Sequence, residues 1–125
     1  MIHLDTNFLV DLVTVGSPGS SMIRSWLTAG VSVGTSAIAW SEFCNGPLSK
    51  AQKDAAFSVL AGNIADFTWR EAELAARLFN LSGRRRGSHA DCMIAAAAIV
   101  GGRPLATFNR ADFERLMPFG LVLEG

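Results

Sequence analysis

Ile2-His3-Leu4-Asp5-Thr6-Asn7-Phe8-Leu9-Val10 decides the fold: three residues of strand character, one acid, then an apolar run at helical spacing. A strand that passes through a carboxylate straight into a helix is the opening of a βαβ unit. The strand reads over Ile2 to Leu4 and the helix over about Asn7 to Val13.

The same alternation continues downstream. Gly16-Ser17-Pro18-Gly19 is a turn, and Ser20 to Ala29 reads as a second helix. Val31 to Gly34 is a second short strand, and Ser36 caps a helix over Ala37 to Asn45 that Gly46-Pro47 ends. Ser49 caps another helix to about Leu60. Ile64 to Thr68 reads as a strand, Arg70 to Leu81 as an amphipathic helix, and Ser82 to Gly87 as a basic loop. Ser88 caps an alanine-rich helix that runs to Val100 and stops at Gly101-Gly102. Pro104 to Phe108 and Gly120 to Leu123 are the last strands, with a short helix between them. Strands alternating with helical patterns give the α/β class, with a mostly parallel central sheet flanked by helices. With no internal repeat or linker, residues 1–125 are expected to form one domain.

Composition narrows the function classes. Half of the residues are apolar, far from a disordered composition. No apolar run reaches the roughly 18 residues a membrane span needs, and the longest, Met93 to Val100, is alanine-rich. The first residues lack a basic segment or a cleavage-like site, so no signal peptide and a cytoplasmic location are expected. Cys44 and Cys92 sit far apart in apolar patterns, which reads as two buried thiols. Neither they nor His3 and His89 have a zinc-site spacing. Net charge is zero, against a broad electrostatic footprint for nucleic acid, but nine of the eleven basic residues are Arg, the better partner for phosphate.

The chemistry lies in carboxylates that interrupt apolar patterns. Asp5 ends the first strand, at the sheet edge where open α/β folds bind ligands. Glu42 follows Ile38 by four residues and Ala39 by three, which places it on an apolar helix face. Asp91 has Ile94, Ala95 and Ala98 at i+3, i+4 and i+7, so it starts a buried stripe. A carboxylate buried alone is costly, and any one of these alone reads as a core ion pair. The two Lys fall in one helix and the Arg residues mainly in loops and on polar faces, so three such acids without nearby bases suit a hard cation, Mg²⁺ or Mn²⁺. Asp112 has two compatible readings: an acid in the first turn of a helix capped by Asn109, and a fourth member of the cluster.

These stretches together resemble the PIN-domain nucleases, in particular the VapC-type toxins of bacterial toxin–antitoxin pairs. The residues that carry the resemblance are Leu4-Asp5-Thr6-Asn7, Ser36 through Glu42, Ala90 through Ala97, and Thr107 through Phe113. Each motif is weak alone, but four in order across essentially the whole chain are specific. The resemblance implies a PIN-like three-layer fold with the acids at the carboxyl ends of a parallel sheet. It implies Asp5, Glu42, Asp91 and Asp112 as catalytic, metal-binding acids, with Thr6 and Asn7 orienting the first and Thr107 and Asn109 supporting the fourth. Some relatives place the last acid or amide at the Asn109 position, so either Asn109 or Asp112 touches metal. The implied reaction is Mg²⁺- or Mn²⁺-assisted hydrolysis of RNA phosphodiesters. The implied partners are an RNA substrate, an antitoxin protein and a second copy of the chain. Arg84, Arg85 and Arg86 read either as solvated charge after a helix C-terminus or as RNA-phosphate contacts beside Asp91. Trp26, Trp40 and Trp69 read as core and interface packing.

Two rivals bracket this reading. An aspartate-based phosphotransfer protein also starts with an acid after its first strand, but it needs a late Lys, and none follows Lys53. A catalytically inactive PIN-like module that binds RNA or protein is the non-enzyme alternative; such modules lose acids, whereas all four candidates are present here.

Overall fold

A computed structural model describes all residues, 1–125. The elements run β1 (Ile2–Leu4), α1 (Thr6–Leu12), α2 (Pro18–Thr28), β2 (Val33–Ser36), α3 (Ala37–Cys44), α4 (Lys50–Val59), β3 (Ile64–Ala65), α5 (Trp69–Leu81), α6 (His89–Gly101), β4 (Leu105–Ala106) and α7 (Arg110–Glu114), with a 3-10 turn over Met117–Phe119. The four strands form one parallel sheet in the order β3-β2-β1-β4. Seven α-helices accompany it, so the expected α/β class holds.

β1 lies at the centre because its residues can be covered on both faces: Ile2, His3 and Leu4 are all buried. It pairs with β2 through Ile2–Val33 and His3–Gly34, and with β4 through His3–Leu105 and Leu4–Ala106. The Thr35 hydroxyl donates to the Leu4 carbonyl at 2.7 Å and reinforces the central pair. Gly34 fits where nothing larger does, since a Cβ there would lie 2.9 Å from the Asn63 carbonyl oxygen. The core gathers Leu4, Phe8, Leu9, Leu78, Ile94 and Leu105, each essentially inaccessible and each contributing roughly 1.5–3 kcal/mol by burial. Ala95, Ala96 and Ala98 of α6 are buried as well, and their small side chains let α5 lie closely along this helix. No helix is long and apolar enough to cross a membrane.

Several expected boundaries move, each for a local reason. α2 starts at Pro18 because Ser17 caps it, accepting from the Ser20 amide. β2 starts at Val33, because the Val31 amide still closes the end of α2 on the Trp26 carbonyl. β3 stops at Ala65, short of Thr68, which leaves the sheet to form a capping box with Glu71. The last strand reduces to a single bridge, Leu105 to Leu123. Ser88 precedes α6 without capping it, since its hydroxyl donates to the Arg85 carbonyl. Cys44 is exposed and only Cys92 is buried, because α3 turns Ala39 and Phe43 inward and leaves Cys44 on its solvent side.

Candidate active site

Asp5 is where strand, helix and site meet. Its amide donates to the Ala106 carbonyl, which fixes the end of β1 against β4. Its side chain caps α1: Oδ1 accepts from the Thr6 amide at 2.8 Å. Oδ2 accepts from the Thr107 hydroxyl, also at 2.8 Å. The carboxylate is therefore held at both oxygens, and each keeps lone-pair capacity for another partner. It is 4% exposed, and burial raises its pKa while the Thr107 and Thr6 bonds oppose the rise.

The remaining acids arrive from three helices. Glu42 accepts from the Thr6 hydroxyl at 2.7 Å, so the residue after Asp5 ties α3 to α1. The expected apolar placement of Glu42 is corrected: it is exposed, because the buried stripe of α3 passes through Ala39 and Phe43. Asp91, in the first turn of α6, is half-buried. Its pKa is pushed up to about 6, first by burial and then by the charges of Asp5, Asp112 and Glu42, against a lowering by Arg115. Asp112, in the first turn of α7, lies 3.3 Å from Arg85 in an ion pair.

The charges of Asp5, Asp112 and Glu42 each reach Asp91, so the four acids gather near the carboxyl end of the sheet. Bases are nearer than the sequence implies, since Arg85 pairs with Asp112 and Arg115 stands close enough to Asp91 to oppose its rise. No three His, Cys, Asp or Glu side chains converge tightly enough to hold an ion as they stand. Glu42 is bonded to the Thr6 hydroxyl and Asp112 is paired with Arg85, so two of the four carboxylates already have protein partners. The donor chemistry nevertheless fits a hard divalent cation: oxygen ligands only, with excess negative charge that a proton already finds at about pH 6. A hollow of about 330 Å³ at the opposite end of the sheet, lined by Met1, His3, Asn63 and Arg103, has no carboxylate.

The supporting residues divide. Thr107 accepts from the Asn109 amide at 3.0 Å while donating to Asp5, so it organises both the first acid and the turn into α7. Asn109 is exposed, and its side chain makes no cap bond to α7, contrary to the expected capping role. Asn7 is exposed beside the site without a side-chain hydrogen bond. Arg84 turns away: its guanidinium bonds the Asn80 side chain and lies over the Phe79 ring, 5.2 Å from the centroid. Arg85 and Arg86 line a small polar cavity with Asp91, Asp112 and Arg115. Sequence reasoning missed Arg115. Its signal was a cation between the core residues Phe113 and Leu116, the counterpart of the pattern that singled out the acids. Of the tryptophans, Trp26 and Trp40 pack on Phe8 and Phe43, whereas Trp69 is 63% exposed.

Solved structures share this architecture. VapBC2 from Rickettsia felis, bound to a DNA fragment from its promoter, matches with a TM-score of 0.71 at 23% identity, over 99% of this chain and 98% of that one. A toxin–antitoxin complex from Klebsiella pneumoniae matches with a TM-score of 0.72 at 24% identity, over 90% of each chain. VapC20 from Mycobacterium tuberculosis, a toxin that cleaves the sarcin–ricin loop, matches with a TM-score of 0.67 at 18% identity, over 98% of this chain and 97% of that one. Curated protein sequences give no match. The PIN domain family profile matches residues 2–117, from the first strand through the last helix that carries an acid, and the chain belongs to that family.

Proposed function

We propose that this protein is a metal-dependent endoribonuclease, the toxin of a VapC-type toxin–antitoxin pair, that hydrolyses RNA phosphodiesters. The observation that carries this reading is the gathering of Asp5, Glu42, Asp91 and Asp112 from four separate elements, with Asp91 raised to about 6 by burial and by the other three. A core does not gather four acids for stability, and perturbed carboxylates at a strand-end site are a signature of function. The structural relatives described as toxins and toxin–antitoxin complexes support the narrower assignment.

In this reading Asp5, Asp91 and Asp112 would hold Mg²⁺ or Mn²⁺. When bound, the ion would supply Lewis-acid activation of water and charge neutralisation at the phosphate and the leaving oxygen. Thr107 and the Thr6 amide fix the Asp5 carboxylate. Glu42, exposed and not paired with a cation, takes the proton from the attacking water, and the Thr6 hydroxyl aims its carboxylate. The partners are RNA, an antitoxin and a second copy of this chain, and the location is the cytoplasm. Exposed Phe57, Trp69, Phe108 and Val122 give such protein partners apolar surface to cover.

The test is cleavage of a mixed RNA pool by purified protein with Mg²⁺ or Mn²⁺, wild type beside Asp91→Asn. Cleavage that requires metal and disappears in the variant is expected. Absence of both cleavage and calorimetric metal binding would overturn the nuclease reading in favour of an inactive binding module.

A further inference from the structure

The unused part of the site is its basic wall. Arg115 lies between α7 and the start of α6, and its Nε and Nη2 atoms are buried without any hydrogen-bond partner. Those two nitrogens form the side-on edge of a guanidinium, the pair of donors that grips one oxyanion through two parallel bonds, and since protein covers both, the side chain has to turn before they meet one. A buried donor without an acceptor is costly, and native structures seldom keep one without a use. The Arg115 side chain lines a cavity of about 80 Å³ whose other walls are Arg85, Arg86, Gly87, Ser88, Asp91 and Asp112, with no apolar residue among them. At roughly 30 Å³ per water, that space admits two or three waters or one small oxyanion. The start of α6 adds to the positive field, because the Ser88 side chain makes no bond to its first amides.

We propose that this cavity is a phosphate subsite for the RNA strand, with Arg115 as its central donor and Arg85 and Arg86 at its mouth. It rests on the nuclease reading in one respect, since the strand it positions is the one to be cut at the carboxylates. The position favours RNA over a protein carboxylate. The cavity shares Asp91 and Asp112 with the acidic cluster, so a strand with one phosphate at the cluster carries a neighbouring phosphate towards the arginines. Phosphate in the cavity also competes with Asp112 for Arg85, which releases Asp112 towards the cluster. Arg115 is here a binding residue and takes no part in bond making.

The test measures binding of a fluorescein-labelled, mixed-sequence single-stranded RNA by anisotropy in EDTA, where metal-dependent cleavage cannot consume the probe, with an oligoglutamate peptide of equal charge alongside. For Arg115→Gln we expect binding at least 5-fold weaker and a slope of log affinity against log salt shallower by about 0.7, the value for one single-strand phosphate contact. Arg86→Gln, at an exposed position, is expected to lower the slope in the same direction and serves where Arg115→Gln melts early. RNA affinity and slope unchanged in both variants would overturn the proposal. It would equally be overturned if the peptide bound through Arg115 and RNA did not, which would assign the cavity to a protein partner. The two readings fail separately: absence of cleavage and of metal binding with Arg115-dependent RNA binding rejects the nuclease, and metal-dependent cleavage with Arg115-independent binding rejects the subsite.

Discussion

Replacing Asp91 by Asn should make the metal-free protein more stable. Lifting this carboxyl from its ordinary 3.8 to about 6 makes its ionisation cost about 3 kcal/mol more in the fold than in the unfolded chain. The group is half-buried, and solvent screening reduces the recoverable part to about 1 kcal/mol. For a chain of 125 residues this corresponds to a rise in Tm of roughly 3–5 °C. The sign follows from linkage: a raised folded pKa means that the penalty is in force above about pH 6 and is relieved as pH falls through that value towards 3.8. The assay is a pair of thermal melts in EDTA at pH 7.5 and pH 5, about those values, for wild type and Asp91→Asn. The variant should melt higher at the upper pH, with the gap narrowing at the lower one. Added Mg²⁺ should then stabilise wild type more than the variant. A variant that melts lower than wild type in EDTA at neutral pH would refute the electrostatic account, because Asp91 would then be held by favourable contacts rather than strained by its neighbours.

Two other outcomes follow from particular bonds. Thr107→Val removes the hydroxyl that serves both Asp5 and the Asn109 amide; metal affinity or cleavage rate should fall roughly 10- to 100-fold, and unchanged values in calorimetry and kinetics would show that Asp5 is oriented without it. His3 is 4% exposed and held down to about 4, first by burial, then by Arg103 and the terminal amine, so its contribution is complete above about pH 6.5 and is lost as pH falls towards 4. Urea melts of Asp91→Asn should lose about 2 kcal/mol more between pH 7 and pH 5 than His3→Leu in the same background, where the Asp5 titration is common to both; equal losses would place the acid sensitivity elsewhere.

The sheet was legible wherever neighbouring residues dictate structure. Ile2-His3-Leu4 followed by Asp5 announces a buried strand ending at a functional edge, and Ser36 and Ser49 mark helix starts that the structure keeps. Pairing partners were not legible. Val31 has strand character, yet its amide belongs to the end of α2, and Gly120 to Leu123 find only one bridging neighbour. The acids stood out because each breaks an apolar pattern, and that logic errs where a helix is short. Glu42 lies within a turn of Ile38 and Ala39 yet faces away from the core, since eight residues do not fix which stripe is buried. Arg85 meeting Asp112 depends on a loop crossing to a distant helix, a contact that no local spacing encodes. Arg115 was readable by the rule used for the acids, applied to the opposite charge.

The sheet order places β4, late in the sequence, against β1, at its start. Asp5 has neither the Ala106 carbonyl nor the Thr107 hydroxyl until that late strand docks. A chain leaving the ribosome N-terminus first therefore carries an incomplete site through most of its synthesis, and residues beyond Asp112 must emerge before all four acids can meet. A given nascent chain therefore has no assembled site while its own first hundred residues are being made, whatever finished copies of the protein do.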